Sequence, residues 1–270
     1  MNKIQTSNNE WGQLKKVIVG LADFARIPLM DKSLRTVNYS HVKDDADIPK
    51  GGLYPIDVIR EANEDLDILA NTLEQLGVEV LRPHDLNFQA IGGMYNYCPR
   101  DRLLIAGNRV IDPVMMYPCR DREVYALDFV VHKAKELMYM PRGADMVMDA
   151  ANVCRMNDRW LYLESPSGNR KAYDWLVNQL PDIDIELVNF YSGVHIDSTI
   201  CPLREGFVVL NASRVNQQNC PKAFNGWTKL WVTDCVPQAF HEYPYASKWI
   251  AMNMLSIDPN TVIVDRAQCD

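Results

Sequence analysis

The sequence predicts a mixed α/β fold in which one β-β-α-β unit is repeated around a common axis. Four hairpin patterns, each turning at residues that tolerate tight-turn dihedrals, recur along the chain. Their turns centre on Asn108, Asp158, Glu205 and Pro259, so the successive intervals are 50, 47 and 54 residues. Repeats of this length are typical of solenoids and propellers, and the helix in each unit favours a ring of mixed blades. The alternative is a two-layer α+β domain in which the hairpins coincide by chance.

Before the first hairpin the sequence predicts a strand, a long loop and a helix followed by a strand. Residues 17–19 are consecutive, β-branched and apolar, which predicts a buried strand. Residues 21–55 are polar with interspersed Pro and Gly, and we expect a functional loop or lid there. Residues 56–76 carry apolar side chains at helical spacing, Gly77 is a helix stop, and residues 78–81 alternate as a strand.

The rest of the chain consists of the hairpins and the segments that follow them. The hairpins are predicted over residues 103–111, 153–163, 199–210 and 253–264. The helices that follow are predicted over residues 122–140, 170–180 and 221–230, with strands at 145–148, 183–188 and 231–232. Pseudo-symmetry of such units would bring the start of every hairpin to the same end of the axis.

Composition excludes several classes of function. With 47% hydrophobic residues, no apolar run of membrane-spanning length and no apolar secretion signal, the chain is expected to be cytoplasmic. A net charge of −7 argues against a nucleic-acid partner and fits a small cationic ligand better. Seven cysteines without a CxxC pair indicate neither a disulfide framework nor a structural zinc site.

Polar side chains precede each hairpin, in segments that we call the hairpin entrances. Asp101 lies before the first hairpin, Asp149 before the second, His195 and Asp197 before the third, and Ser247 before the fourth. In an extended segment His195 and Asp197 share a face, and histidine exchanges protons near neutral pH. By itself this pair is also explained as a structural histidine beside a turn-capping carboxylate.

Three carboxylates and one imidazole at a common end of the axis fit a guanidinium ligand. A guanidinium is planar, permanently charged and rich in N–H donors, so carboxylates pair with it in forked geometry. A further carboxylate can fix the tautomer of the histidine. Metal binding is the competing use of these residue types, but a single histidine and the lack of a recognised metal-ligand spacing argue against it.

Motifs in a characteristic order extend over nearly the whole chain. They are Asn9-Glu10-Trp11, Gly51-Gly52-Leu53-Tyr54-Pro55, Pro99-Arg100-Asp101, Asp149-Ala150-Ala151, His195-Ile196-Asp197 and Ser247-Lys248-Trp249. Together they resemble the glycine amidinotransferase family of the guanidine-modifying superfamily, and within it the sequence looks most similar to the amidinotransferases of saxitoxin biosynthesis. The resemblance implies one domain over residues 1–270, a five-bladed α/β propeller of ββαβ units, a homodimer, and neither cofactor nor metal.

The resemblance also implies roles for the residues at the hairpin entrances. Asp101 and Asp197 would bind the guanidinium of arginine, His195 would act as general acid and base, and Asp149 would orient it. The implied reaction moves the amidino group of arginine to an amine through an amidino-cysteine and releases ornithine.

Further residues are implied to contact the rest of the two substrates. Arg214 and Ser247 match positions that bind the α-carboxylate of arginine. Ser192, Val194 and Ala246 stand where the glycine enzymes carry bulkier or more polar residues. The extra space predicts an amine acceptor larger than glycine, because an oversized pocket discriminates poorly for a small ligand.

One feature of the family is not found in this sequence. The resemblance implies a nucleophilic cysteine in a Gly-rich, His-Cys segment near the C-terminus, and nothing around Cys269 matches that motif. We therefore expect the sequence to be a partial copy of a longer enzyme with an incomplete last blade. Alternatives are a glycine amidinotransferase, a hydrolase of the arginine deiminase type, and an inactive arginine-binding protein.

Overall fold

The computed structural model describes residues 6–235 and 249–264, and these group into two compact units. The first unit contains Lys15–Ala150, and the second combines Ser7–Leu14 with the chain from Ala151 onward. The organisation as a single domain stays a prediction. In the part of the chain that the structure describes, no helix has the length and apolarity needed to cross a membrane.

The first unit begins with the predicted strand and a long segment that contains short regular elements. Strand β1 (Lys16–Ile18) confirms the first prediction. Within the segment predicted as a loop or lid, β2 (Arg26–Ile27) pairs antiparallel with β3 (Gly52–Leu53). A π-helical turn at Leu34–Asn38 and a 3-10 turn at Asp45–Asp47 lie between these strands. The segment is therefore more ordered than its composition predicts, and its role as a lid stays a prediction.

The longest helix among the described residues follows as predicted. Helix α1 (Ile56–Gln75) ends just before Gly77, which has a φ of +78°, a conformation that glycine adopts without strain. Leu73 on this helix is completely buried. Strand β4 (Glu79–Leu81) then pairs in parallel with β1, because the helix crosses back to the same edge.

The first complete ββαβ unit lies at the end of the first compact unit. Two short helices, α2 (Phe88–Ile91) and α3 (Pro99–Arg102), precede it. Its own elements are the strands β5 (Leu104–Ala106) and β6 (Arg109–Asp112), the helix α4 (Asp128–Val131) and the strand β7 (Glu136–Tyr139). Strands β5 and β6 form the predicted antiparallel hairpin, and β7 pairs with β6 in parallel.

The second compact unit contains two further three-stranded sheets and one further hairpin. One three-stranded sheet contains β8 (Val153–Met156), β9 (Arg159–Leu163) and, after helix α5 (Arg170–Gln179), β10 (Asp184–Val188). The next contains β11 (Ile200–Arg204), β12 (Phe207–Asn211) and β13 (Thr228–Val232), and a last hairpin contains β14 (Leu255–Asp258) and β15 (Thr261–Ile263). Both three-stranded sheets pair their first two strands antiparallel and add the third in parallel. All four predicted hairpins are confirmed.

The helix predicted over residues 122–140, with its strand at 145–148, is wrong. A 3-10 helix covers Pro118–Leu127, the short helix α4 follows, and β7 begins nine residues before the predicted strand. The strand period explains the difference, because Leu137 packs into a hydrophobic cluster with Val110 while its neighbour Glu136 is exposed.

The helix predicted over residues 221–230 is also wrong. Only Lys222–Phe224 forms a 3-10 turn. Gly226 follows with a φ of +79°, which ends any helical path, and β13 begins two residues later. Phe224 is completely buried and packs edge to face against Trp227, so tertiary packing holds this turn.

The N-terminal segment Ser7–Leu14 is an integral part of the second unit. Trp11 packs in the same hydrophobic cluster as Leu161 and Val208, which come from two different sheets. Glu10 forms two hydrogen bonds of 3.0 Å with the guanidinium of Arg155 on β8. A buried aromatic ring and a paired charge therefore hold the segment in place.

Candidate active site

The predicted polar residues lie on short turns directly before the first strand of a hairpin. Asp101 belongs to helix α3, which ends two residues before β5 begins. Asp149 immediately precedes a 3-10 turn at Ala150–Asn152 that leads into β8. Asp197 begins a turn that leads into β11. The repeat therefore gives the three carboxylates equivalent positions in their units.

Asp101 is buried beside two other charged side chains in the first unit. Its Oδ2 accepts a hydrogen bond of 2.9 Å from Nη1 of Arg120. Arg120 donates from Nε and Nη2 to the two carboxylate oxygens of Glu123, at 2.8 and 3.1 Å. The same guanidinium lies 4.8 Å from the ring centre of Tyr95, within the range of a cation–π interaction. Asp101 is thus already held by a guanidinium of the protein itself.

Burial and neighbouring charges shift the pKa values of Glu123 and Arg120. Desolvation raises the pKa of Glu123 to about 7, against the opposing effect of the Arg120 guanidinium. Burial acts to lower the pKa of Arg120, but Tyr95, Glu123 and Asp101 together raise it well above its usual value. Arg120 is therefore a permanent cation, and Glu123 gains or loses its proton near neutral pH.

Asp149 is 1% exposed, and its Oδ1 accepts a hydrogen bond of 2.9 Å from the backbone N–H of Met116. Nη1 of Arg100 donates to the carbonyl oxygen of Ala150 at 3.0 Å. This bond joins the hairpin entrance that contains Asp101 to the one that contains Asp149. Within the first unit, the structure therefore brings these two predicted entrances together.

His195 and Asp197 are both half-buried, and Ile196 between them is completely buried. The segment is not extended, because the chain bends at Ile196 and turns from Asp197 onward. The backbone N–H of Ile196 donates to the carbonyl oxygen of Ala151 at 3.2 Å, which fixes the turn. This bond anchors the turn that carries both polar residues.

Arg214 lies against the turn that contains Asp197. Its Nη1 donates to Oγ1 of Thr199 at 2.7 Å and to Oγ of Ser198 at 3.3 Å. The guanidinium lies 5.3 Å from the ring centre of Tyr191. The structure thus places the predicted carboxylate-binding arginine next to the third hairpin entrance, within the second unit.

The segment before His195 is exposed, and a hydrogen bond from Ser167 holds its backbone. Ser192 and Val194 are exposed, and the carbonyl oxygen of Val194 accepts a hydrogen bond from the hydroxyl of Ser167. Oγ of Ser167 also lies 2.8 Å from Oδ1 of Asn152. A Cβ at Gly168 would lie 2.5 Å from Nδ2 of Asn152, so only glycine fits beside this amide.

Two of the predicted functional positions, Ala246 and Ser247, lie outside the described residues, as does Cys269. Among the described cysteines, burial raises the pKa of Cys119 and of Cys201 to about 12. Their thiols are protonated at neutral pH, and the thiolate is the reactive form. Neither cysteine has the environment of a nucleophile.

Sequence reasoning missed the residues that support the predicted ones. Arg120 and Glu123 stand three residues apart, a spacing that signals a pair on one helical face. The helix predicted there began at residue 122 and therefore left Arg120 outside it. Ser167 and Asn152 carried no signal, since a serine and an asparagine in a turn-rich stretch are ordinary.

The chain is similar to curated amidinotransferases over nearly its whole length. Inosamine-phosphate amidinotransferase 1 of Streptomyces glaucescens is 36% identical over 295 residues, which cover 97% of this chain and 85% of that protein. The chain belongs to the amidinotransferase family. No family model matches it.

Solved structures of amidinotransferases share the fold. The inosamine-phosphate amidinotransferase of Streptomyces griseus superposes with a TM-score of 0.89 at 34% identity, covering 97% of this chain and 85% of that one. An amidinotransferase of the saxitoxin biosynthetic pathway from Microseira wollei gives a TM-score of 0.82 at 26% identity, with 97% and 86% covered. This amidinotransferase therefore has the α/β propeller fold predicted from its sequence. The number of blades does not follow from the sheets of the described residues.

Proposed function

We propose that this amidinotransferase moves the amidino group of L-arginine to an amine larger than glycine and releases ornithine, in a saxitoxin-type pathway. The observation that carries the proposal is the position of Asp101, Asp149 and the His195–Asp197 pair, each on the turn before a hairpin of the repeated unit. Because the chain belongs to the amidinotransferase family, we assign these side chains to an amidino-transfer reaction.

In the donor half-reaction, Asp101 and Asp197 bind the guanidinium of arginine, and Arg214 binds its α-carboxylate together with Ser247. A cysteine thiolate attacks the guanidinium carbon and forms a C–S bond. His195 gives a proton to the leaving nitrogen, the C–N bond breaks, and ornithine departs. Asp149 holds the imidazole in the orientation that this proton transfer requires.

In the acceptor half-reaction, the amine enters and His195 removes its proton. The amine nitrogen attacks the amidino carbon, a new C–N bond forms, and the C–S bond breaks to regenerate the thiolate. Water has to be kept from the amidino-cysteine, because hydrolysis would compete with transfer. We assign this exclusion to the segment of residues 21–55, which closes over bound substrate.

The size of the acceptor rests on the segment before His195. Val194 is 41% exposed and Ser192 is exposed as well, so neither side chain is packed against the core. The named acceptor class of the Streptomyces relatives is an inosamine phosphate, which is also much larger than glycine. With Ala246 as the third acceptor residue, these features support an acceptor of that size.

The test is turnover of labelled arginine by the intact enzyme with glycine, lysine and an inosamine phosphate as separate acceptors. We expect ornithine together with an amidinated form of the larger amines, and little product from glycine. Mass spectrometry of the intact enzyme after arginine alone should show one amidino group on a cysteine, and the same experiment on the 270-residue chain tells whether Cys269 can carry it. Citrulline formed without an amine would instead establish a hydrolase, and arginine binding without adduct or product would establish an inactive binding protein.

Two variants separate binding from chemistry. Asp101→Ala should abolish arginine binding in calorimetric titration, because the guanidinium loses a charged acceptor. His195→Ala should bind arginine with an affinity near that of the wild type but turn over at least about a hundredfold more slowly, the usual scale of a general acid. Near-normal turnover by His195→Ala would contradict the assigned role of the histidine.

We further propose a cytoplasmic homodimer that needs no cofactor or metal, as the family resemblance implies. Sedimentation equilibrium of the purified chain tests the dimer, and turnover after exhaustive chelation tests the independence from metal. A monomer at all concentrations, or loss of turnover on chelation, would contradict these two statements.

A further inference from the structure

A buried group of charges adjoins Asp101 and has no part in the reaction described above. Arg120 is 3% exposed and Glu123 is 0% exposed, and two hydrogen bonds join them as a fork. Arg120 also donates to Oδ2 of Asp101 and packs against the ring of Tyr95. Even when paired, buried charges contribute little net stability, so this cluster is a candidate for a functional role.

We propose that Arg120 is a positioning residue, which holds the carboxylate of Asp101 in the orientation that binds the guanidinium of arginine. Glu123 holds Arg120 in turn. The inference rests on the role given to Asp101 in the proposed function.

The physical basis is the freedom of a carboxylate about its last torsion. The χ2 angle of aspartate is broadly distributed, so a lone carboxylate samples many orientations. A hydrogen bond of 2.9 Å to Oδ2 removes that freedom for Asp101. Forked pairing with a guanidinium depends on the plane of the carboxylate, and a small misplacement at a reacting group costs much of the rate.

The arrangement requires an arginine at position 120. Nε and Nη2 face Glu123 while Nη1 faces Asp101, so one planar group serves both carboxylates. A lysine has a single ammonium nitrogen and cannot reproduce a fork on one side and a third bond on another. Arg120→Lys therefore keeps the charge and removes the geometry.

The second unit offers a matched control. Arg155 makes the same fork with Glu10, with Nε and Nη2 each 3.0 Å from a carboxylate oxygen. Arg155→Lys alters a guanidinium–carboxylate pair of the same kind, and Arg155 has no role in the proposed site.

The experiment measures the affinity of the 270-residue chain for arginine and for citrulline by calorimetric titration. Citrulline has the shape of arginine but a neutral end group, so the ratio of the two affinities reports how well the carboxylates receive a cation. Arg120→Lys should lower this ratio about tenfold or more, the scale of a charge-assisted hydrogen bond. Arg155→Lys should leave it unchanged. A general loosening of the fold would weaken both ligands together and would not move the ratio.

Each outcome decides between the two proposals. If the wild type does not prefer arginine, or Asp101→Asn keeps the preference, the proposed function fails, and the positioning role fails with it. If Asp101→Asn loses the preference but Arg120→Lys keeps it, only the positioning role is overturned. If Arg120→Lys does not fold, Glu123→Gln replaces it, because glutamine keeps the volume but accepts only one of the two bonds. That variant should lower the ratio about threefold, and an unchanged ratio would overturn the inference.

Discussion

The titration of Glu123 is expected to control the stability of the first unit near neutral pH. Burial raises the pKa of this carboxyl from 4.5 to about 7 in the folded protein, and the unfolded chain retains the lower value. The folded state therefore binds the proton more tightly than the unfolded state between these two pH values. The stabilisation from protonated Glu123 is fully present below about pH 4.5 and is lost as the pH rises through 7.

The size of the effect follows from the two pKa values. Their difference corresponds to about 3 kcal/mol of unfolding free energy, since each pKa unit is worth about 1.4 kcal/mol. Glu123 is completely buried, so solvent screening does not reduce this figure appreciably. Glu123→Gln resembles the protonated form at every pH and should not show the loss.

Urea unfolding of wild type and Glu123→Gln, at intervals from about pH 5 to pH 8, measures the effect. Other groups titrate alike in both proteins, so they cancel from the difference in unfolding free energy. We expect that difference to shift in favour of the variant by about 2–3 kcal/mol over this range. Parallel pH profiles for the two proteins would refute the reasoning, because Glu123 would then be ionised throughout beside Arg120.

Two further predictions concern packing. Leu73→Ala should lower the unfolding free energy by about 2–5 kcal/mol, because Leu73 on α1 is completely buried. Leu76→Ala, at the exposed end of that helix, should change the unfolding free energy by no more than about 0.5 kcal/mol. Gly168→Ala should slow turnover at least about tenfold while arginine binding persists, because the new Cβ displaces Asn152 and, through it, the support of the segment before His195. A Gly168→Ala enzyme with unchanged turnover would contradict that chain of contacts.

The repeat was predictable because hairpins are specified locally. Turn residues such as Gly107 and Asn157 adopt positive φ, at 63° in both cases, and such residues stand out in a sequence. The elements between hairpins were less predictable. Residues 122–140 have apolar spacing compatible with a helix, but residues 136–139 pair with β6 as a strand, and the residues before them form a 3-10 helix and a short α-helix. Long-range pairing outweighed local propensity there.

The sequence by itself determined the spacing of the units, the family, and the entrance positions of Asp101, Asp149 and His195. These depend on turn chemistry and on motifs that are contiguous along the chain. Only the tertiary structure decided that Arg120 reaches 19 residues back to Asp101. Such a contact follows from how distant segments pack, and no local rule of spacing encodes it. For the same reason, the buried protonation of Glu123 near pH 7 appears only once the surrounding side chains have excluded water.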